Sequence, residues 1–296
     1  MMKTIFLITF LLLAINSVGQ NYQNYYKLCN SSDSLAYLGL YKQALDTLET
    51  AFEAVDVVHS RNYIDAYHLA IKLKQYDKAV KYGKKAIIIS GNKNIIRTKS
   101  SKDFRKSIYY SSIIDSCDYF VQIFNDRVNH TFQDKIDSLY YIDQRIVRKN
   151  RSVRGNYNIN KDELPINRFD LDSSNWSVFH RLVQEYGFPS EENVGYESYR
   201  KACILIIHNL RISGYEKYHD EYFNYITLGY YLPTNVVLWY EQYNMNVLGQ
   251  TFFTTWDKNI SEENIQRIDS NRRKFNLKGM NSIELSRDGL SMVSKW

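Results

Sequence analysis

The chain has 296 residues, 38 Lys and Arg against 32 Asp and Glu, and a formal net charge of +6. That length suits one large domain or two smaller ones. A modest positive balance without a stacking or groove-reading motif excludes nucleic acid as the expected partner. With 3 Pro and 12 Gly, and apolar residues recurring at regular intervals, the pattern is that of a mostly helical protein. The 26 Tyr and 14 Phe are expected to fill helix seams and core.

Lys3, the apolar run Ile5 to Ile15 and the small residues Ser17-Val18-Gly19 form an export signal, with cleavage expected near Gln20. An uncleaved N-terminal anchor is the competing reading. Removal of the signal leaves Gln20 to Trp296 as the mature chain. No later segment is apolar enough to cross a bilayer, so a periplasmic or secreted chain is expected. Cys29, Cys117 and Cys203 lie far apart, without metal-like pairing, and their odd number leaves at least one unpaired within the chain.

Gly39-Leu40-Tyr41-Lys42-Gln43-Ala44-Leu45 is echoed by Lys74-Gln75-Tyr76-Asp77-Lys78-Ala79-Val80. The interval is 76 − 41 = 35 positions, and Ala44 to Ala79 and Ala51 to Ala86 repeat it. Over residues 24 to 91 this resembles two tetratricopeptide repeats, helix pairs in which small alanines permit close approach. Two repeats stand poorly alone, so helices after residue 100 are expected to cap them. Residues 72 to 106 carry twelve Lys or Arg against Asp77 and Asp103, a local balance of 12 − 2 = +10. Lys74, Lys78, Lys81 and Lys85 fall on one helical face. That face is either solvated or offered to an anionic glycan or membrane surface.

A helix is expected from about Asn129 to Lys149, its stripe formed by Ile136, Leu139, Tyr140, Ile146 and Val147. Asp143 falls on this stripe, seven positions after Ile136, so a carboxylate faces the core, with Gln144 and Arg145 beside it. Residues 150 to 168 read as a loop. Asp172 to Asn175 then read as a helix cap, followed by Trp176, Phe179, Leu182, Val183 and Tyr186 on one face. Gly187 and Pro189 end that helix around Phe188, and Gly195 marks the next turn. Tyr199, Ala202, Cys203, Ile206 and Leu210 form a further stripe, and the apolar residues around them carry His208 into a core. A strand over Cys203 to Ile207 is the alternative for so short an apolar run. A helix through Tyr215, Tyr218, Tyr222 and Tyr225 stops at Gly229. Pro233 opens another with Val236, Trp239, Tyr240 and Tyr243, Ser261 caps a last one, and the tail from Leu277 has no period.

Residues 140 to 285 resemble a bacterial family defined as a domain of unknown function. The likeness rests on Asp143-Gln144-Arg145, Asn175, Tyr186-Gly187-Phe188-Pro189, Val194-Gly195, His208, Ile268-Asp269, Arg272 and Asn276-Leu277. The family has a tryptophan where Phe188 stands and an acidic residue where Leu210 stands, and it implies no activity. The fold expected is all-α, with tetratricopeptide-like pairs over 20–110 and a helical domain over 111–296 after the signal at 1–19.

No Gly-x-Ser-x-Gly elbow, phosphate loop, His-Glu-x-x-His or paired-cysteine site occurs, and no cofactor is called for. His219-Asp220-Glu221 reads as a solvated polar face rather than a metal site. A protein- or peptide-binding module is one functional reading. A hydrolase using Asp143, Arg145 and His208 for general acid–base chemistry is another. A third makes Asp143 and His208 a structural pair. Asp143 and His208 are expected to meet directly or share Arg145, at the floor of a pocket built by Trp176 and the Gly187-Phe188-Pro189 turn. Asp143, Gln144, Arg145, Trp176, Gly187, Phe188, Pro189 and His208 are thus the candidate binding residues.

Overall fold

The structure, a computed structural model, describes residues 21–97, 102–154, 168–213, 215–235 and 261–274. The signal segment, the region from Val236 through Tyr243 and the tail from Leu277 lie outside the described residues. Among those described there are helices and no strand, so Cys203 to Ile207 is helical. No helix among them is long and apolar enough to cross a membrane.

Four helices make the repeats: α1 (Tyr22–Tyr37), α2 (Tyr41–Glu53), α3 (Ser60–Lys72) and α4 (Tyr76–Ser90). They pack as the pairs α1 with α2 and α3 with α4, and α2 joins the pairs by packing on α3. Ala44, Ala51, Ala79 and Ala86 are all fully buried, which lets the paired backbones close up. The sequence interval extends to the backbone. Gly39 and Lys74 both adopt left-handed dihedrals, at φ 77° and 58°. The amides that follow bond alike, Leu40 to the Leu35 carbonyl and Gln75 to the Ala70 carbonyl, each at 2.9 Å. A left-handed residue ends the first helix of each pair and releases the chain into the second.

Glycine adopts this conformation freely; lysine does so against a steric cost of about 1 to 2 kcal/mol, partly offset by its smaller backbone entropy loss. Lys74→Gly is therefore expected to stabilise the chain by about 0.5 to 1 kcal/mol, read as a higher midpoint in urea at unchanged slope. A midpoint at or below that of the parent would contradict the assignment.

Burying so much tyrosine requires partners for the phenols. Tyr22 donates to the Val57 carbonyl, Tyr25 to Asn62 Oδ1, Tyr67 to the Ile96 carbonyl and Tyr82 to Glu49. The repeat tyrosines themselves are half-buried. Tyr41 lies beneath the Lys72 ammonium and Tyr76 packs on Phe104.

A 3-10 turn (Lys93–Arg97) leads to α5 (Lys102–Arg105), α6 (Ile108–Asp115) and α7 (Cys117–Arg127). α6 and α7 lie against α4, covering the exposed end of the second pair. Three long helices follow: α8 (His130–Arg154), α9 (Arg168–Tyr186) and α10 (Glu191–Ser213). Helix α8 runs past Lys149 to Arg154, because nothing in Asn150 to Arg154 breaks a helix; 155–167 lie outside the described residues. Helix α9 begins at Arg168, so Asp172 to Asn175 sit inside it and do not cap it. Gly187 ends α9 at φ 82°, Ser190 and Asn193 cap α10 reciprocally, and Gly195 breaks the helical dihedrals within α10. After α11 (Tyr215–Thr227), Gly229 turns the chain back so that Tyr231 enters the core. Ser261 caps α12 (Glu262–Lys274), accepting from the Asn264 amide at 3.3 Å.

Candidate functional site

Polar contacts set the register of the three long helices. Gln133 on α8 donates to the Val194 carbonyl on α10 at 3.2 Å. One turn on, Asp137 accepts from Ser198 at 2.6 Å and from Lys201. The third contact joins Asp143 to His208. The partners advance together, so α8 and α10 are parallel. Helix α9 runs opposite to both, since Tyr186 at its end stacks on Phe132 at the start of α8, 5.0 Å between ring centres.

The Asp143 carboxylate is completely buried, as its place on the α8 stripe requires. His208 Nδ1 donates to it, 3.0 Å from one oxygen and 3.1 Å from the other. Gln144 adds a side-chain amide hydrogen bond at 2.7 Å. The Asp143 and His208 side chains are 1% and 14% exposed, so the imidazole forms the accessible edge of a closed pair. A carboxylate on Nδ1 fixes that proton there and leaves Nε2 as an acceptor in the neutral ring.

The surroundings differ from those expected. Arg145 is exposed, because it follows Asp143 by two positions and so points away from the buried face. Gln144 takes the supporting place instead. Trp176 is buried against His180, Phe179 and Tyr222. The Phe188 ring packs on Tyr225 at 4.3 Å and meets Tyr222 and Tyr231 edge-on. Its turn follows the end of α9, which faces the start of α8, whereas Asp143 lies three turns further along α8 than Phe132. That separation is about 16 Å along the axis. Phe188 thus braces α11 through Tyr222 and Tyr225, and its turn stands apart from the pair along α8.

A second constellation has no local signature in the sequence. Glu191, the first residue of α10, is buried, and its carboxylate accepts from the Ser60 amide at the start of α3 at 2.7 Å. An acid at a helix N-terminus complements the exposed amides and dipole. Here it joins the C-terminal helices to the repeats. His59 beside it stacks on Tyr26 at 6.1 Å. A cleft of about 310 Å³ opens at this junction, lined by Tyr22, Val58, His59, Glu191, Leu228 and Tyr230 among others. Burial raises the Glu191 carboxyl above its usual range and pushes the His59 imidazole down to about 4.

The two shifts act oppositely on stability. His59 contributes fully above its unfolded value of about 6.5, and the contribution is lost as pH falls toward 4. Glu191 contributes fully below about 4.5, and its contribution is lost as pH rises through the raised value. Acidification from pH 6.5 to 4 is expected to remove about 3 kcal/mol through His59. Urea titrations across this range should show a shallower acid limb for His59→Gln; an unchanged limb would contradict the role of this ring.

On α4, Lys81 and Lys85 are exposed, as is Lys74 just before it, but Lys78 is half-buried in an ion pair with Glu49 at 2.7 Å. Lys81 and Lys85 lie over the Tyr82 and Tyr63 rings at 5.4 and 5.3 Å. Asp220 is exposed and Glu221 accepts from the Tyr225 hydroxyl at 3.0 Å, while the His219 side chain lies outside the described residues. Among the described residues no three metal-type ligands converge. Cys29, Cys117 and Cys203 are buried free thiols, each raised by burial away from thiolate chemistry.

Compared with known proteins, the chain matches no family model, no curated protein and no solved structure.

Proposed function

We propose that this chain is an exported binding module that engages a ligand or peptide segment at the Asp143–His208 pair. The observation that carries the reading is a fully buried carboxylate holding a partly accessible imidazole by Nδ1. Two apolar side chains would pack such a seam at least as stably, so stability alone is a weak reason for this pair. The N-terminal export pattern supports a location outside the cytoplasm, and helix-pair repeats are a common frame for holding protein partners. Exposed Lys74, Lys81 and Lys85 suit an anionic glycan or lipid surface as a secondary contact.

A hydrolase is the second reading, favoured by the same geometry. A carboxylate on Nδ1 orients an imidazole to take a proton at Nε2. The test uses the chain from Gln20 as bait, beside its His208→Gln variant, which keeps a donor toward Asp143. A partner captured by the parent and lost from the folded variant supports the binding site. Equal capture by both removes His208 from it. Turnover of a captured substrate that ceases in the variant transfers the reading to catalysis.

A further inference from the structure

Asn175 is buried, 7% exposed, and among the described residues its side-chain nitrogen has no hydrogen-bond partner. A buried donor left unsatisfied is costly and uncommon, which directs attention to what it faces. Helix register supplies the answer. Phe132 on α8 and Tyr186 on α9 stack directly across their interface. From Phe132, Asp143 lies eleven positions forward along α8; from Tyr186, Asn175 lies eleven positions back along antiparallel α9. Such a step advances a helix about 16 Å and returns its side chains to within about 20° of the starting direction. Asn175 and Asp143 therefore stand at one level on facing surfaces. Parallel α10 delivers His208 to that level, as its bond to Asp143 records.

We propose that Asn175 is the third polar member of the site, and that its amide and His208 Nε2 together take a hydroxyl group of a neutral alcohol or polyol. The proposal rests on reading the Asp143–His208 pair as a binding site. Asn175 offers a donor. His208, with its Nδ1 proton committed to Asp143, offers an acceptor. A single oxygen that accepts from the amide and donates to the ring satisfies both, and a hydroxyl is the group that does so. A carboxylate has no proton for Nε2 and meets the like charge of Asp143. An ammonium has no acceptor for the amide, and both Asp143 oxygens are already engaged by His208 and Gln144.

The experiment follows the imidazole nitrogens of the full mature chain by NMR during titration with ethylene glycol. Its dimethyl ether, 1,2-dimethoxyethane, accepts hydrogen bonds and donates none. The expected result is a saturable His208 Nε2 shift with the glycol, and a response at least about tenfold weaker with the ether, the cost of one lost hydrogen bond. Asn175→Leu should weaken the glycol response by a similar factor without lowering the melting temperature, because it removes an unsatisfied buried donor. No saturable shift, as from a site that holds only water, or an equal response to the ether, overturns the hydroxyl assignment. If His208→Gln abolishes glycol protection of the fold against urea while Asn175→Leu keeps the full response, Asn175 is not in the site but the pair is. If neither variant changes glycol protection, the binding reading of the pair falls as well.

Discussion

His208→Ala is expected to lose about 3 to 5 kcal/mol of stability, because it leaves the Asp143 carboxylate buried with one neutral donor, Gln144. The loss belongs to the unpaired charge and not to the net worth of the pair. The double variant Asp143→Leu/His208→Leu removes both polar groups together and should recover most of the deficit, since replacing both partners of a buried polar pair by apolar groups is often neutral or stabilising. Urea denaturation of the parent, the single variant and the double variant gives all three values on one scale. A single variant within about 1 kcal/mol of the parent would mean that Asp143 finds other partners or water when the imidazole is removed. A double variant as stable as the parent, but unable to retain the partner, would establish that the pair is kept for recognition. One that retains the partner would make the pair structural.

The repeats were legible because one interval governs composition, packing and backbone. Alanine at 44, 51, 79 and 86 predicts the close helix pairs, and Gly39 predicts the turn that Lys74 copies against its own preference. Asp143 and His208 were legible for a similar reason: each interrupts an apolar stripe, and a polar residue on a buried face requires a partner. What spacing on one helix does not reveal is which neighbour that face meets. Adjacency in sequence groups Arg145 with the pair, but a helix turns such residues apart. The Phe188 turn carries strong breaker residues that suggest a shaped site, but antiparallel packing sets it beside the start of α8, whereas Asp143 lies mid-helix. Asp172 to Asn175 have the composition of a cap, yet α9 already begins at Arg168. Glu191 and His59 gave no signal. An acid in a helix's first turn is ordinarily solvated, and its contact with Ser60 spans 131 positions of sequence.

Phe124→Ala is the second variant with a large expected effect, about 3 to 5 kcal/mol for loss of a buried phenylalanine. The ring is 6% exposed and held between two residues that lack a Cβ: Gly91, just past α4, and Gly195, at the break in α10. Both glycines have positive φ, at 70° and 73°, and a Cβ on either would overlap the Phe124 ring. Gly195→Ala therefore carries two costs, about 1 to 2 kcal/mol for the left-handed backbone and about 1 to 3 kcal/mol for overpacking. Combining it with Phe124→Leu should relieve the second cost and leave the first, so the pair should couple favourably by about 1 to 2 kcal/mol. Strict additivity would show that another group excludes the Cβ. The contact matters beyond its own energy, since α4 closes the repeats and α10, past its break at Gly195, carries His208. All 4 tryptophans follow Asn175, so their fluorescence reports the C-terminal half alone while circular dichroism reports every helix. In the parent the two probes should give coincident unfolding curves. In Phe124→Ala they should separate, because this ring is a principal tie between the repeats and the helix that presents the imidazole.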